Sequence, residues 1–213
     1  DDKFFTYYVT MSGHMNYDDS NNNVVKNWDK VKDLLYSDSA KGYLATQIEL
    51  DKALEEMIRV LKENDRLEDT VIVLVGDHNP YGLSEEEVRD LSLYDINDYD
   101  IDKYHMPFII YDSTMNENVE IDKYGSSLDV LPTILNLFGV EYDSRLLMGK
   151  DILSDSDSFI IFSNRSFITN KGIYNSRKYI FKSFDGIDKD YSKYISLVKE
   201  EMYLKYRYSR LML

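Results

Sequence analysis

Thr70-Val71-Ile72-Val73-Leu74-Val75-Gly76-Asp77-His78 is the stretch on which the reading of this chain turns. The five apolar residues 71–75, four of them β-branched, predict a buried strand. Gly76 ends the run. A carboxylate and an imidazole follow at once, at the strand end where an α/β sheet presents its loops to ligands. One oxygen donor and one nitrogen donor in that position make half of a divalent-metal site. Asn79-Pro80-Tyr81-Gly82 then turns the chain sharply away. The pair by itself also admits a plainer reading, in which Asp77 caps a short helix and the dipeptide only begins a turn.

Upstream, Phe4 to Met11 reads as a strand running into Ser12-Gly13-His14, a second strand-to-loop junction that carries a potential ligand. Asp18 to Asn23 is a polar loop. From Tyr43, the residues Gln47, Leu50, Leu54, Met57 and Leu61 recur at spacings of four and three, which predicts one face of a helix about five turns long. The helix ends at Lys62-Glu63-Asn64-Asp65, and a helix leading into a buried strand is the pattern of an α/β layer fold. Downstream, Tyr94 to Asp102 reads as a surface excursion. Met106 to Tyr111 reads as another buried strand, with Pro107 tolerable at its first residue. Leu128 to Phe138 reads as a helix with Asp129 at the N-cap, Pro132 in the first turn and Gly139 as the stop. Phe159 to Phe162 is a further strand, Tyr179 to Phe184 an edge hairpin with Ile173-Tyr174, and the last segment an amphipathic helix with Tyr191, Ile195, Val198 and Met202 on one face. No repeat or low-complexity linker divides the chain, so one domain, or a large part of one, is the simpler organisation.

The 213 residues suffice for one sizeable core, and 43% hydrophobic with 30% charged residues is a globular composition. No apolar run approaches the ~20 residues of a membrane helix. The chain opens Asp-Asp-Lys and passes directly into Phe4, so no signal peptide is expected within these residues, and an opening inside an expected strand suits a piece of something longer. A net charge of −14 excludes a general nucleic-acid binder, because no basic patch exists to neutralise phosphates. An anionic substrate then needs a cation to mediate its contact. The absence of cysteine rules out disulfides, thiolate metal sites and cysteine nucleophiles.

Three histidines, His14, His78 and His105, are the remaining candidates for ligand chemistry. Small Ser12 and Gly13 let a ligand come close to His14. His105 in Tyr-His-Met-Pro serves equally well as a packing residue at the mouth of a strand. Arg165 and Lys171 flank Phe167-Ile168-Thr169 and either hold an anion or are simply solvated. No Gly-x-Ser-x-Gly elbow, Walker loop or Gly-x-Gly-x-x-Gly occurs. The nineteen tyrosines offer amphipathic area for core edges and specify no function.

With these residues in place, the chain resembles the C-terminal portion of the sulfatase-like phosphoglycerol transferases, the lipoteichoic acid synthase family within the alkaline phosphatase superfamily. Thr10-Met11-Ser12-Gly13-His14 resembles the family's strand ending in a histidine that contacts the substrate phosphate. Tyr43-Leu44 through Asp51 and Leu54 resembles the helix before the metal strand. Asp69 through Gly76, Asp77-His78 and Pro80 resembles the strand bearing the Asp-His metal ligands. Pro107-Phe108-Ile109-Ile110-Tyr111, then Asp129-Val130-Leu131-Pro132-Thr133-Ile134-Leu135 with Leu137 and Gly139, continue the order, and Phe162-Ser163-Asn164-Arg165 with Phe167-Ile168-Thr169 resembles a late strand. The ordered set covers nearly the whole chain, although no single match is specific.

The resemblance implies an α/β fold, with residues 1–213 forming the C-terminal part of an alkaline phosphatase/sulfatase-like α/β/α sandwich. It implies a metal-dependent transfer of a phosphoglycerol group to a lipid or a cell-wall polymer such as lipoteichoic acid. Asp77 and His78 would hold one Mn²⁺ or Mg²⁺, and His14 would bind the substrate phosphate. The family's threonine nucleophile, its acidic metal ligand and its substrate-contacting tryptophan and arginine match positions upstream of Asp1. Thr6, Thr10 and Trp28 therefore do not take those roles, and the chain alone is expected to be inactive. The family also implies N-terminal membrane helices with the catalytic domain outside the cell. Two alternatives share the Asp-His pair: a sulfatase or phosphoethanolamine transferase, and a non-catalytic glycopolymer-binding or sensor module.

Overall fold

Side chains that satisfy the free amides at helix starts set the first elements of the computed structural model, which describes residues 3–211. Asn21 accepts from the Asn23 amide and starts helix α1, Asn22–Val31. Ser37 accepts from the Ala40 amide and starts helix α2, Asp38–Glu63. These helices pack on each other, burying Val24 and Val31 of α1 and Ala40 and Ala45 of α2. A polar clasp joins them: the Glu49 carboxylate accepts from Lys26 at 2.6 Å, from Asn27 at 2.7 Å and from Lys52 at 2.5 Å. The helix expected from Tyr43 onward is present and ends at Glu63, where the polar stretch predicted its stop.

Strand β1, Val71–Val75, follows, and pairs antiparallel with β2, Phe108–Asp112, in the register Val71 to Asp112 and Val75 to Phe108. Between them lie the short helices α3, Glu85–Leu91, and α4, Tyr99–Asp102. The expected surface excursion at 94–102 is thus tied down at one point, because Ile101 of α4 is buried. The expected burial of β1 and β2 is not met. Only Ile72 of β1 is buried, and Ile109 of β2 is half exposed, since each strand has one neighbour among the described residues. Phe4 to Met11 forms no strand, with Phe5 84% and Tyr7 78% exposed. Aromatic and β-branched content is a preference for a pleated surface, and it becomes a strand only where a neighbour supplies ladder bonds.

These elements belong to the first of two compact units, Asp1–Asn116 and Glu117–Leu213. The second contains helix α5, Ser127–Leu137, an antiparallel meander β3 (Phe159–Ile161), β4 (Phe167–Thr169), β5 (Gly172–Asn175) and β6 (Ile180–Ser183), and helix α6, Ser192–Leu211. Phe167, Tyr174, Val198 and Met202 form its core, so the expected apolar face of the last helix packs against the meander. The expected hairpin 179–184 is there as well, with β6 on the sheet edge.

The start of α5 differs from expectation. Ser126 is the N-cap, and Asp129, three residues on, returns hydrogen bonds to the Ser126 amide at 2.7 Å and hydroxyl at 3.0 Å. Pro132 consequently lies beyond the first turn. Its missing amide leaves the Leu128 carbonyl without its helical donor. The backbone at Gly149 fills that place so closely that a Cβ there would stand 1.9 Å from the Leu128 oxygen. No helix of the described residues is long and apolar enough to cross a membrane.

Candidate functional site

The antiparallel pairing of β1 with β2 places Gly76 against the chain entering β2, and its amide donates to the Pro107 carbonyl at 3.2 Å. The next two residues leave the ladder and project into solvent, with the Asp77 side chain 82% exposed and that of His78 45% exposed. Asp77 turns its carboxylate back onto the His78 amide at 2.9 Å. His78 Nδ1 lies 2.8 Å from the Asn79 carbonyl oxygen. A carbonyl only accepts, so Nδ1 is the donor of this contact and Nε2 is the nitrogen left for another partner. Nε2 in turn lies 3.7 Å from Asp77 Oδ2.

This donor pair fits a divalent ion as far as it goes. An imidazole nitrogen and a carboxylate oxygen 3.7 Å apart fall within the ~4.2 Å that two metal–ligand bonds of ~2.1 Å can span. Among the described residues no group of three or more His, Cys, Asp or Glu side chains is gathered to hold a metal.

His14 lies on a loop rather than at a strand end, and its ring is exposed. Its Nδ1 bonds the Met15 carbonyl oxygen at 2.9 Å, and its own carbonyl accepts from the Asn21 side chain at 3.2 Å. Gly13 beside it faces the Gln47 side chain of α2, whose Nε2 would stand 2.7 Å from any Cβ added there. The loop therefore lies against the Gln47 side chain of the expected helix.

The two ligand-bearing loops also touch. A Cβ on Gly82, in the turn after His78, would stand 2.8 Å from the Tyr17 ring and 3.3 Å from the Met15 side chain. Tyr17 stacks edge-on against Tyr43 of α2 at 5.4 Å and donates to the Gly13 carbonyl at 3.3 Å. Burial, then the neighbouring Tyr43 and Tyr81, push the Tyr17 phenol above its ordinary pKa, so it remains a donor. Tyr81 stacks on the His78 ring at 4.5 Å and 30°. His105 has its ring against Tyr94 at 4.5 Å.

Tyr17 and Tyr81 are the residues the sequence analysis passed over. Tyr81 stood inside the turn that follows the ligand pair, and its proximity to His78 was the available signal.

The model of the sulfatase family matches residues 1–140. The chain belongs to the sulfatase family. This sulfatase-family chain is 32% identical over 213 residues to lipoteichoic acid synthase 2 of Bacillus subtilis, covering 93% of the chain and 31% of that protein. It is 32% identical over 180 residues to the lipoteichoic acid synthase-like YvgJ of the same organism, covering 80% of the chain and 28% of that protein. The crystal structure of the lipoteichoic acid synthase LtaP from Listeria monocytogenes superposes with a TM-score of 0.69 at 24% identity, over 95% of this chain and 52% of that one. The resemblance read from the sequence therefore holds, and so does the α/β fold class of the alkaline phosphatase and sulfatase superfamily. The chain spans about a third of the length of these two Bacillus relatives.

Proposed function

We propose that this chain is part of a metal-dependent phosphoglycerol transferase acting on a lipid or a cell-wall polymer such as lipoteichoic acid. The observation that carries the reading is the pairing of His78 Nε2 with Asp77 Oδ2 at 3.7 Å, in a chain whose relatives are lipoteichoic acid synthases. Asp77 and His78 would hold one Mn²⁺ or Mg²⁺. Such an ion supplies a lowered pKa to a nucleophilic hydroxyl and neutralises charge on the transferred phosphoryl group. His14 binds the phosphoryl oxygens. Its Nδ1 is taken by the Met15 carbonyl, so Nε2 is the ring nitrogen left to meet the phosphoryl oxygens. A bound cation is what a chain of net charge −14 needs to accept an anion.

The relatives' greater length supports a parent protein that supplies a threonine nucleophile, a further acidic ligand and N-terminal membrane helices, with the catalytic domain outside the cell. The 213 residues alone then turn over nothing. The test is glycerol-phosphate transfer from a phosphatidylglycerol donor, assayed with Mn²⁺ for the parent protein and for the isolated chain. Transfer by the parent, its loss in Asp77→Asn and no turnover by the isolated chain are the expected results. Phosphodiesterase activity from the isolated chain, or an unimpaired Asp77→Asn parent, would overturn the reading. Release of sulfate or transfer of phosphoethanolamine instead would move the protein to another branch of the same family.

A further inference from the structure

The second unit contains a cavity of about 530 Å³ that the sequence analysis did not foresee. Three segments line it and leave it open to solvent: the turn Asn170-Lys171 between β4 and β5, the loop 184–191 after β6, and the first turns of α6. Its volume lies in the ordinary range for small-ligand sites, ~300–1,000 Å³. Tyr191 and Tyr194 line it, and both rest on Phe181, at 4.5 Å and 5.6 Å between ring centroids. Phe181 in turn packs against Phe167 of the unit's core, so these aromatic walls stand on the fixed part of the fold. The Tyr194 hydroxyl is held by Thr169 at 2.8 Å.

Three ammonium groups, those of Lys171, Lys189 and Lys193, line the same cavity. None of them is in an ion pair among the described residues within 4.0 Å. Lys171 lies over the Tyr194 ring at 4.8 Å and Lys189 over the Tyr191 ring at 5.1 Å. The two carboxylates of the cavity wall are engaged by neighbouring hydroxyls and amides, and Asp185 also feels the charge of Lys189. Asp185 accepts from the Ser183 hydroxyl, from the Ile187 amide at 2.9 Å and from the Tyr191 hydroxyl at 3.3 Å. Asp190 accepts from the Ser192 hydroxyl and from its amide at 2.8 Å. In a chain of net charge −14, a cavity with three lysines, two satisfied aspartates and ring faces is a local exception.

We infer that this cavity binds a phosphate-bearing polyol, with Lys171, Lys189 and Lys193 facing the phosphate oxygens and Tyr191 and Tyr194 taking the C–H faces of the carbon chain. Ammonium groups are flexible point charges for phosphate, and amphipathic rings suit the apolar faces of a polyol whose hydroxyls stay in water. The choice of glycerol phosphate as the repeating unit rests on the proposed function. The cavity would then hold product or acceptor polymer in the second unit.

Titration of the 213-residue chain, followed by nuclear magnetic resonance, tests this with four probes: a glycerol-phosphate trimer, inorganic phosphate, unphosphorylated maltotriose and phosphatidylglycerol vesicles. The trimer should shift residues around Lys189 and Tyr194, and bind at least tenfold more tightly than phosphate or maltotriose. The triple variant Lys171→Gln, Lys189→Gln, Lys193→Gln, with unchanged circular dichroism, should lose at least tenfold in trimer affinity. Asp77→Asn should leave trimer binding unchanged. Equal trimer binding by the triple variant, or binding to vesicles alone, would overturn the inference. Trimer binding lost in Asp77→Asn would overturn it too, while leaving the function proposed above intact. If the parent shows no phosphoglycerol transfer but the trimer still binds at the lysines, the function fails and the cavity assignment stands.

Discussion

His78 Nε2 and Asp77 Oδ2 face each other across 3.7 Å while His78 Nδ1 is committed to the Asn79 carbonyl at 2.8 Å. The backbone carbonyl thereby takes one ring nitrogen and leaves the other beside the carboxylate. That is the arrangement the proposed metal role asks for, an imidazole with its second nitrogen held by another partner.

On the proposed function Tyr81 positions His78, since its ring stacks on His78 at 4.5 Å. Tyr81→Ala should weaken Mn²⁺ binding by about tenfold, the scale of losses when a metal ligand's supporting contact is removed. Tyr81→Phe keeps the ring and should restore it. Equal losses in the two variants would show that the hydroxyl, not the stack, matters.

His14 makes the same kind of contact, its Nδ1 against the Met15 carbonyl, which leaves Nε2 to meet a phosphate. In the parent enzyme His14→Gln should lower turnover by about 100-fold, as removal of a single oxyanion donor does. An unimpaired His14→Gln parent would place the phosphate donor elsewhere.

Glu49 gives a stability prediction with a defined sign. Hydrogen bonds from Lys26, then Lys52 and Asn27, lower its pKa from 4.5 to about 2. A carboxyl depressed on folding stabilises the fold above its unfolded pKa and loses that contribution as pH falls through the folded value. Glu49→Gln should therefore lower the melting temperature at pH 7. The difference from wild type should shrink between pH 4.5 and about 2 and vanish below. A difference that persists at pH 1.5 would mean that Glu49 acts through packing.

Gly149→Ala tests the seat beneath α5. With the Leu128 oxygen 1.9 Å from the new Cβ, the loop must move off the helix. The expected loss is about 1–3 kcal/mol of unfolding free energy, the usual cost of overpacking, read by urea denaturation. An unchanged midpoint would contradict the closeness of this contact.

Local rules explain what was legible in the sequence. The 3.6-residue repeat from Tyr43 and the β-branched run at 71–75 each state their element within their own residues. Phe4 to Met11 was misread because a strand needs a neighbour, and composition cannot supply one. The α5 cap was misread because Ser126 and Asp129 both suit an N-cap, and only the reciprocal hydrogen bonds decide between them. The Tyr17 and Tyr81 contacts and the lysine-lined cavity arise from chain returns that no local pattern encodes. Lys171, Lys189 and Lys193 span 23 positions in sequence and share one wall only after the meander closes.

The most direct measurement of the central claim is a Mn²⁺ titration of the histidine-labelled chain, read as paramagnetic broadening of the ring signals. The His78 signal should broaden first and that of His105 should stay sharp, and Asp77→Asn should raise the Mn²⁺ needed by at least tenfold. Equal broadening of His78 and His105, or an Asp77→Asn titration identical to wild type, would contradict the assignment of Asp77 and His78 as the metal ligands.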